Sequence, residues 1–222
     1  MGIYEFAGCV VSYEPLYGLL RRRMETYRSD TERQPDITLD GTKEDYEKLR
    51  KQYPHLSIEE CEYSCAGAEF YMKLLKHQGF MIHASAVEKE GKAYLFSAPS
   101  GTGKSTHAQL WRQTFKGEPI RIINDDKPAV CLQNGVFYAC GTPFSGKTDK
   151  NENRKAPIQG LCMLHRGKTN KIQKITSGEA LPLILPQTLF YGDEEETNLL
   201  LSFLDRFLQS VPVYKMECTM EE

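Results

Sequence analysis

Apolar residues along the chain fall into short runs whose spacing switches between strand and helix periods. Residues 3–12, Ile-Tyr-Glu-Phe-Ala-Gly-Cys-Val-Val-Ser, alternate loosely and predict a first strand. From Leu16 to Tyr27, Leu19, Leu20 and Met24 recur at helical spacing on a segment whose other face is basic. Asp36–Leu39 predicts a short strand. Lys43–Gln52 is charged and helix-prone, anchored by Tyr46 and Leu49. Ala66–His77 puts Phe70, Leu74 and Leu75 on one helical face and stops at Gln78-Gly79. Residues 1 to about 78 therefore read as an irregular accessory α+β region, either a lid or substrate platform or a packing extension.

Residues 79–222 read as the main domain and carry more strands. Phe80–Val87 predicts a strand, Glu90-Gly91-Lys92 a tight turn, and Ala93–Phe96 a buried strand that completes a hairpin. Lys104-Ser105-Thr106 open a helix with Ala108, Leu110 and Trp111. Ile120–Ile123 is a short apolar strand, and Pro128–Leu132 with Val136–Cys140 forms a second hairpin turned at Gln133-Asn134-Gly135. The polar stretch Thr148–Lys155 predicts the most mobile loop. Ile158–Leu164 reads as a buried strand and Lys171–Ile175 as an exposed one. Leu199–Leu208 is an apolar helix with an acidic lead-in at Asp193–Glu196, and Val213–Cys218 closes as an edge strand. Hairpins, in place of simple βαβ repeats, flank Ala93–Phe96. The pattern predicts an α/β protein of α+β character with a mixed, twisted sheet.

Composition narrows the class. The 222 residues are 40% hydrophobic with a formal net charge of -2, which argues against a nucleic-acid surface. The basic runs Arg21-Arg22-Arg23 and Arg166-Gly167-Lys168 read as solvated surface. No stretch reaches the roughly 20 apolar residues of a membrane span, and the N-terminus lacks a signal-peptide pattern. A soluble, cytoplasmic protein without membrane partners is expected. Seven cysteines, an odd number, are scattered along the chain and read as reduced thiols. Cys61 and Cys65 have a spacing unsuited to a zinc ribbon or a thioredoxin-type site.

The candidate chemistry centres on Ala93–Leu110. A buried strand, the small-residue loop Ser97-Ala98-Pro99-Ser100-Gly101-Thr102-Gly103 and a helix opening with Lys-Ser is the arrangement of a phosphate-binding P-loop. Gly101 and Gly103 allow positive φ and close approach to phosphate oxygens. Loop amides of Ser100 to Thr106 and the helix N-terminus would form the anion site, Lys104 would reach the terminal phosphates, and the Ser105 hydroxyl would ligate Mg²⁺. The usual first glycine of that motif is Ala98 here. Asp125-Asp126 ends an apolar strand, where adjacent carboxylates point to opposite sides: one toward a metal, the other toward an incoming hydroxyl. His83 ends a strand predicted to neighbour the P-loop strand and could reach the same place.

Taken together, Ile82-His83-Ala84-Ser85-Ala86-Val87, Ala98–Thr106 and Asn124-Asp125-Asp126-Lys127 resemble the HPr kinase/phosphorylase family, whose catalytic domain is similar to that of ATP-dependent phosphoenolpyruvate carboxykinase. The resemblance covers roughly residues 79–175. It is closest to short HPr-kinase-like proteins, including kinases of lasso-peptide precursors, which share the elements seen here as Gly141–Lys147 and Asn151-Glu152-Asn153. It implies Asp125 as acid/base, Asp126 as its metal-associated neighbour and His83 beside that base, with Lys147 and Arg154 as candidate phosphate or substrate contacts. The implied activity uses ATP and Mg²⁺ to phosphorylate a hydroxyl, in a serine of a peptide or small protein or in a metabolite. A non-catalytic nucleotide-binding partner is a third reading, and homo-oligomers occur among such relatives. One departure stands out. The Arg-Gly-Leu-Gly-type signature of HPr kinases is replaced by Arg154-Lys155-Ala156-Pro157-Ile158-Gln159-Gly160, so neither HPr as substrate nor reverse phosphorolysis is implied.

Overall fold

The structure, a computed structural model, describes residues 1–115, 117–189 and 193–219. It opens with an antiparallel hairpin, β1 (Gly2–Phe6) and β2 (Cys9–Tyr13), where the apolar pattern predicted one strand over 3–12. Ala7 and Gly8 turn the chain with φ of 53° and 80°. Alanine seldom enters that region, so the turn carries only half of its sequence signature. β3 (Ile37–Thr38) adds parallel to β2.

Three helices belong to this part: α1 (Gly18–Glu25), α2 (Lys43–Gln52) and α3 (Ile58–Leu74). α3 begins well before Ala66, because Ser57 and Glu60 form a reciprocal capping box that starts a helix in a polar, acidic segment. Phe6, Tyr27, Phe70 and Phe144 pack as one aromatic cluster with centroid separations of 4.7 to 6.5 Å. Met81, Ala129, Cys131 and Cys140 share that cluster, so the N-terminal region and the strands after Gly79 are packed around a common core. Each such ring withdraws enough apolar area to contribute about 2–3 kcal/mol.

The larger sheet is organised by β10 (Lys155–Arg166). Its first residues pair antiparallel with β9 (Val136–Cys140), which continues through β8 (Ala129–Gln133) to β4 (Gly79–Met81). Past a bulge between Ile158 and Gly160, β10 runs parallel to β6 (Lys92–Ser97), followed by β5 (Ala84–Lys89) and β7 (Arg121–Asn124). Its last half also pairs, in parallel, with β12 (Val213–Cys218), and β12 pairs with β11 (Lys171–Ile175). Val213–Cys218 is therefore an internal strand, not the edge that its sequence predicts. Only Val213 in it is buried, and that half-exposed pattern reads like an edge.

The run Phe80–Val87 is split between two pairings. Gly79–Met81 follows β8 and Ala84–Lys89 follows β6, and the chain crosses over at Ile82-His83. The His83 N–H donates to the Gln187 carbonyl (2.7 Å), which fixes this seam. On one face of the sheet, α4 (Lys104–Thr114) packs Ala108 and Trp111 against Phe96, Cys162 and Leu164. On the other, α5 (Ser177–Ile184) and α6 (Glu194–Ser210) bring Ile184, Leu204 and Phe207 onto Leu95, Leu161 and Met163. α5 was not predicted. Its capping box, Thr176 with Glu179, starts a helix that contains Pro182. Among the described residues no helix is long and apolar enough to cross a membrane.

Candidate functional site

Three chain segments converge at the start of β5 and the ends of β6 and β7: the seam at His83, the loop from Ala98 to Gly103, and Asn124–Lys127. The loop links β6 to α4, and Lys104 is the first residue of that helix. Gly101 and Gly103 take φ of 77° and 115°, and beyond their own chain neighbours nothing lies within 4 Å of where a Cβ would stand on either. The cradle is thus open on the side its glycines face. Lys104 is 7% exposed, and its Nζ donates to the Ala98 carbonyl at 2.9 Å and toward that of Pro99 at 3.5 Å. Burial pushes its ammonium below the ordinary lysine range, while the charges of Asp126 and Asp125 oppose that shift.

The carboxylate pair is aimed by Asn124, whose side chain is fully buried. Its Oδ1 accepts from the Asp126 and Lys127 amides at 3.0 and 2.8 Å, and its Nδ2 donates to Thr142. As predicted for adjacent residues, the two carboxylates diverge. Asp125 is 3% exposed; Ser85 Oγ donates to its Oδ1 at 2.8 Å and Thr148 Oγ1 to its Oδ2 at 2.9 Å. Asp126 is more open, with His83 Nε2 at 3.2 Å from its Oδ1 and Lys127 Nζ at 3.0 Å from its Oδ2. Burial alone would raise the Asp126 carboxyl, but the His83 hydrogen bond and the Lys127 ammonium outweigh it and hold it at about 2. His83 therefore stands beside Asp126, whereas the sequence resemblance put it beside Asp125. Gly146 is needed here because it takes φ of 67° and a Cβ on it would lie 2.8 Å from the Asp126 carboxyl.

The stretch Thr148–Lys155 is tied down at many points, contrary to the mobility its composition predicts. Lys150 O accepts from the Asp125 amide, the Glu152 amide donates to Ile123, and Tyr27 hydrogen-bonds Asn151. Arg23 of α1 reaches the same loop. It donates to the Gly146 carbonyl at 2.7 Å, pairs with Asp149 at 3.1 Å and lies 4.9 Å from the Tyr63 ring centre. Its side chain is 8% exposed, so it does not belong to the solvated basic surface assigned from sequence. Arg166, from the other short basic run, donates to the Gly101 carbonyl at 2.7 Å.

Of the residues singled out by sequence, His83, Lys104, Asp125, Asp126 and the Ser100–Thr106 loop come together. Arg154 does not. Its guanidinium grips Glu88 at 2.6 and 3.0 Å, three residues along β5 from Ser85. Lys147 is exposed on the 146–149 turn. Sequence reasoning passed over Ser85, Asn124, Thr148 and Arg23. Ser85 could have been found, since it is two residues from His83 in a strand-like run; Thr148 has no such signal. Beside the glycine cradle, a cavity of about 350 Å³ is lined by Gly101, Thr102, Leu110, Leu164, Arg166 and Thr219, among others.

The seven cysteines are free, and no cluster of His, Cys, Asp or Glu suited to a metal occurs among the described residues. The chain matches no protein-family profile and no curated protein. Among solved structures it is similar to the HPr(Ser) kinase/phosphatase from Coxiella burnetii. The TM-score is 0.36 at 10% sequence identity, over 64% of this chain and 86% of that one. At that level the likeness says nothing about individual residues of the site.

Proposed function

We propose that the chain is a kinase that transfers the γ-phosphoryl group of Mg-ATP to a hydroxyl, with a serine of a peptide or small protein as acceptor. The observation that carries the reading is the convergence of a buried lysine and two divergent carboxylates on an open, glycine-lined loop. Lys104, released from the Ala98 and Pro99 carbonyls, meets the terminal phosphates in surroundings where its charge is weakly screened. The adjoining cavity has room for the nucleoside. Ser105 and Asp126 would hold Mg²⁺, which supplies neutralisation of phosphate charge when bound. His83 keeps Asp126 ionised and oriented. Asp125, held from behind by Ser85, accepts the proton of the attacking hydroxyl.

The test uses thermal unfolding and mass spectrometry. Wild type is expected to melt several degrees higher with saturating Mg-ATP, since ligand at about 100 times its Kd adds about 2.7 kcal/mol. It should also add phosphate to a component of a peptide fraction from cell extract. Asp125→Asn keeps both neighbours satisfied, because the Ser85 and Thr148 hydroxyls can accept as well as donate. That variant should keep the melting shift and lose transfer. Loss of both in a folded Asp125→Asn protein would refute the base assignment, and absence of any shift in wild type would refute the nucleotide reading.

A further inference from the structure

Thr148 already occupies the position that the proposed reaction assigns to its acceptor. Its Oγ1 donates to Asp125 Oδ2 at 2.9 Å, while the opposite oxygen, Oδ1, is held by Ser85. The two hydroxyls differ in access. Ser85 is fully buried within β5, whereas Thr148 is an exposed residue on the 146–149 turn. In the sequence Lys147 precedes it and Asp149-Lys150 follow. The turn is fixed rather than waving, because Arg23 and Tyr63 hold Gly146 and the Lys150 carbonyl holds the Asp125 amide. A hydroxyl pinned on a carboxylate base is poised for attack.

We propose that Thr148 is a phosphoryl acceptor within the chain itself, an inference that rests on the Mg-ATP reading above. Thr148 Oγ1 forms a bond to the γ-phosphorus of ATP. The bond from that phosphorus to the β–γ bridging oxygen breaks, and its electron pair leaves with ADP. The Thr148 proton passes to Asp125 Oδ2 and from there to solvent.

The full chain is incubated with Mg-ATP and followed by intact mass and peptide mapping, with a melting scan on the same sample. The expected result is stoichiometric phosphate on Thr148, at a rate independent of protein concentration because donor and acceptor belong to one molecule. Thr148→Ser should retain modification and Thr148→Val abolish it, both with the Mg-ATP melting shift intact. Lys104→Met and Asp125→Asn should also remain unmodified. A melting shift with Mg-ATP while Thr148 stays unmodified overturns this inference and leaves the nucleotide reading standing. Phosphate confined to another residue overturns it too. If wild type shows neither shift nor phosphate, the nucleotide reading fails and this inference falls with it.

Discussion

Arg23→Ala should loosen the 146–152 loop without unfolding the sheet beneath it. The charged hydrogen bond to the Gly146 carbonyl, at 2.7 Å and 8% side-chain exposure, is worth about 2 kcal/mol. Its position 4.9 Å from the Tyr63 ring centre adds about 1 kcal/mol in this partly desolvated setting. The pair with Asp149, whose side chain is 54% exposed, adds little. The sum is about 3 kcal/mol, or about 150-fold in a local opening equilibrium. Amide hydrogen exchange reads that equilibrium directly. The Asp125, Gly146 and Glu152 amides, bonded to Lys150 O, Tyr63 Oη and Ile123 O, should lose protection by about that factor. Amides in the β5–β6 ladder should keep theirs. Unchanged protection at 125, 146 and 152 would refute the claim that α1 holds this loop. An equal fall in the β5–β6 ladder would mean that Arg23 supports the whole fold instead.

Arg154→Ala leaves Glu88, with a side chain only 12% exposed, without its partner; the expected loss is about 3 kcal/mol in urea unfolding with no change in the Mg-ATP melting shift. A lost nucleotide shift would return Arg154 to the phosphate site, where the resemblance put it. Glu62 of α3 holds the segment that leads into α1: its buried carboxylate accepts from the Leu16 and Tyr17 amides and from the Tyr13 hydroxyl, and burial raises its pKa above the ordinary 4.5 despite these donors. Because the folded value is the higher one, the native state holds the extra proton, and this contribution to stability is full below about pH 4.5 and declines as pH rises through the folded value. Glu62→Gln has no such proton, so its urea midpoint should vary less than that of wild type between pH 4.5 and 7; parallel profiles would sink the assignment.

What the sequence made legible follows from how local each signal is. The glycine loop, the Asp125-Asp126 strand end and the hairpins at Glu90-Gly91 and Asn134-Gly135 are contiguous patterns with one physical reading, and the structure has them where the pattern put them. The seam at His83 was not legible, since Phe80–Val87 is a continuous strand-like run, broken only by His83 and Ser85, and nothing in it says that its halves follow different partners. The resemblance placed His83 beside Asp125, and in the structure its ring stands at Asp126. Arg23 and Thr148 act across more than a hundred and more than twenty residues, respectively, through contacts that only the fold creates. The start of α3 and the whole of α5 were obscured for other reasons: α3 begins at a capping box in a polar, acidic segment, and α5 carries Pro182 inside it.

The position of β12 bears on how the molecule assembles. β10 and β11 are joined by a short polar connection, yet they do not pair with each other; β12 occupies the slot between them. During synthesis, residues 155–175 emerge with that slot open, and it stays open until some forty further residues, including α5 and α6, have followed. The exposed ladder edges of β10 and β11 present unpaired amides and carbonyls throughout that interval. Closure of the sheet therefore depends on non-local pairing, since β12 is separated from both its neighbours by α5 and α6.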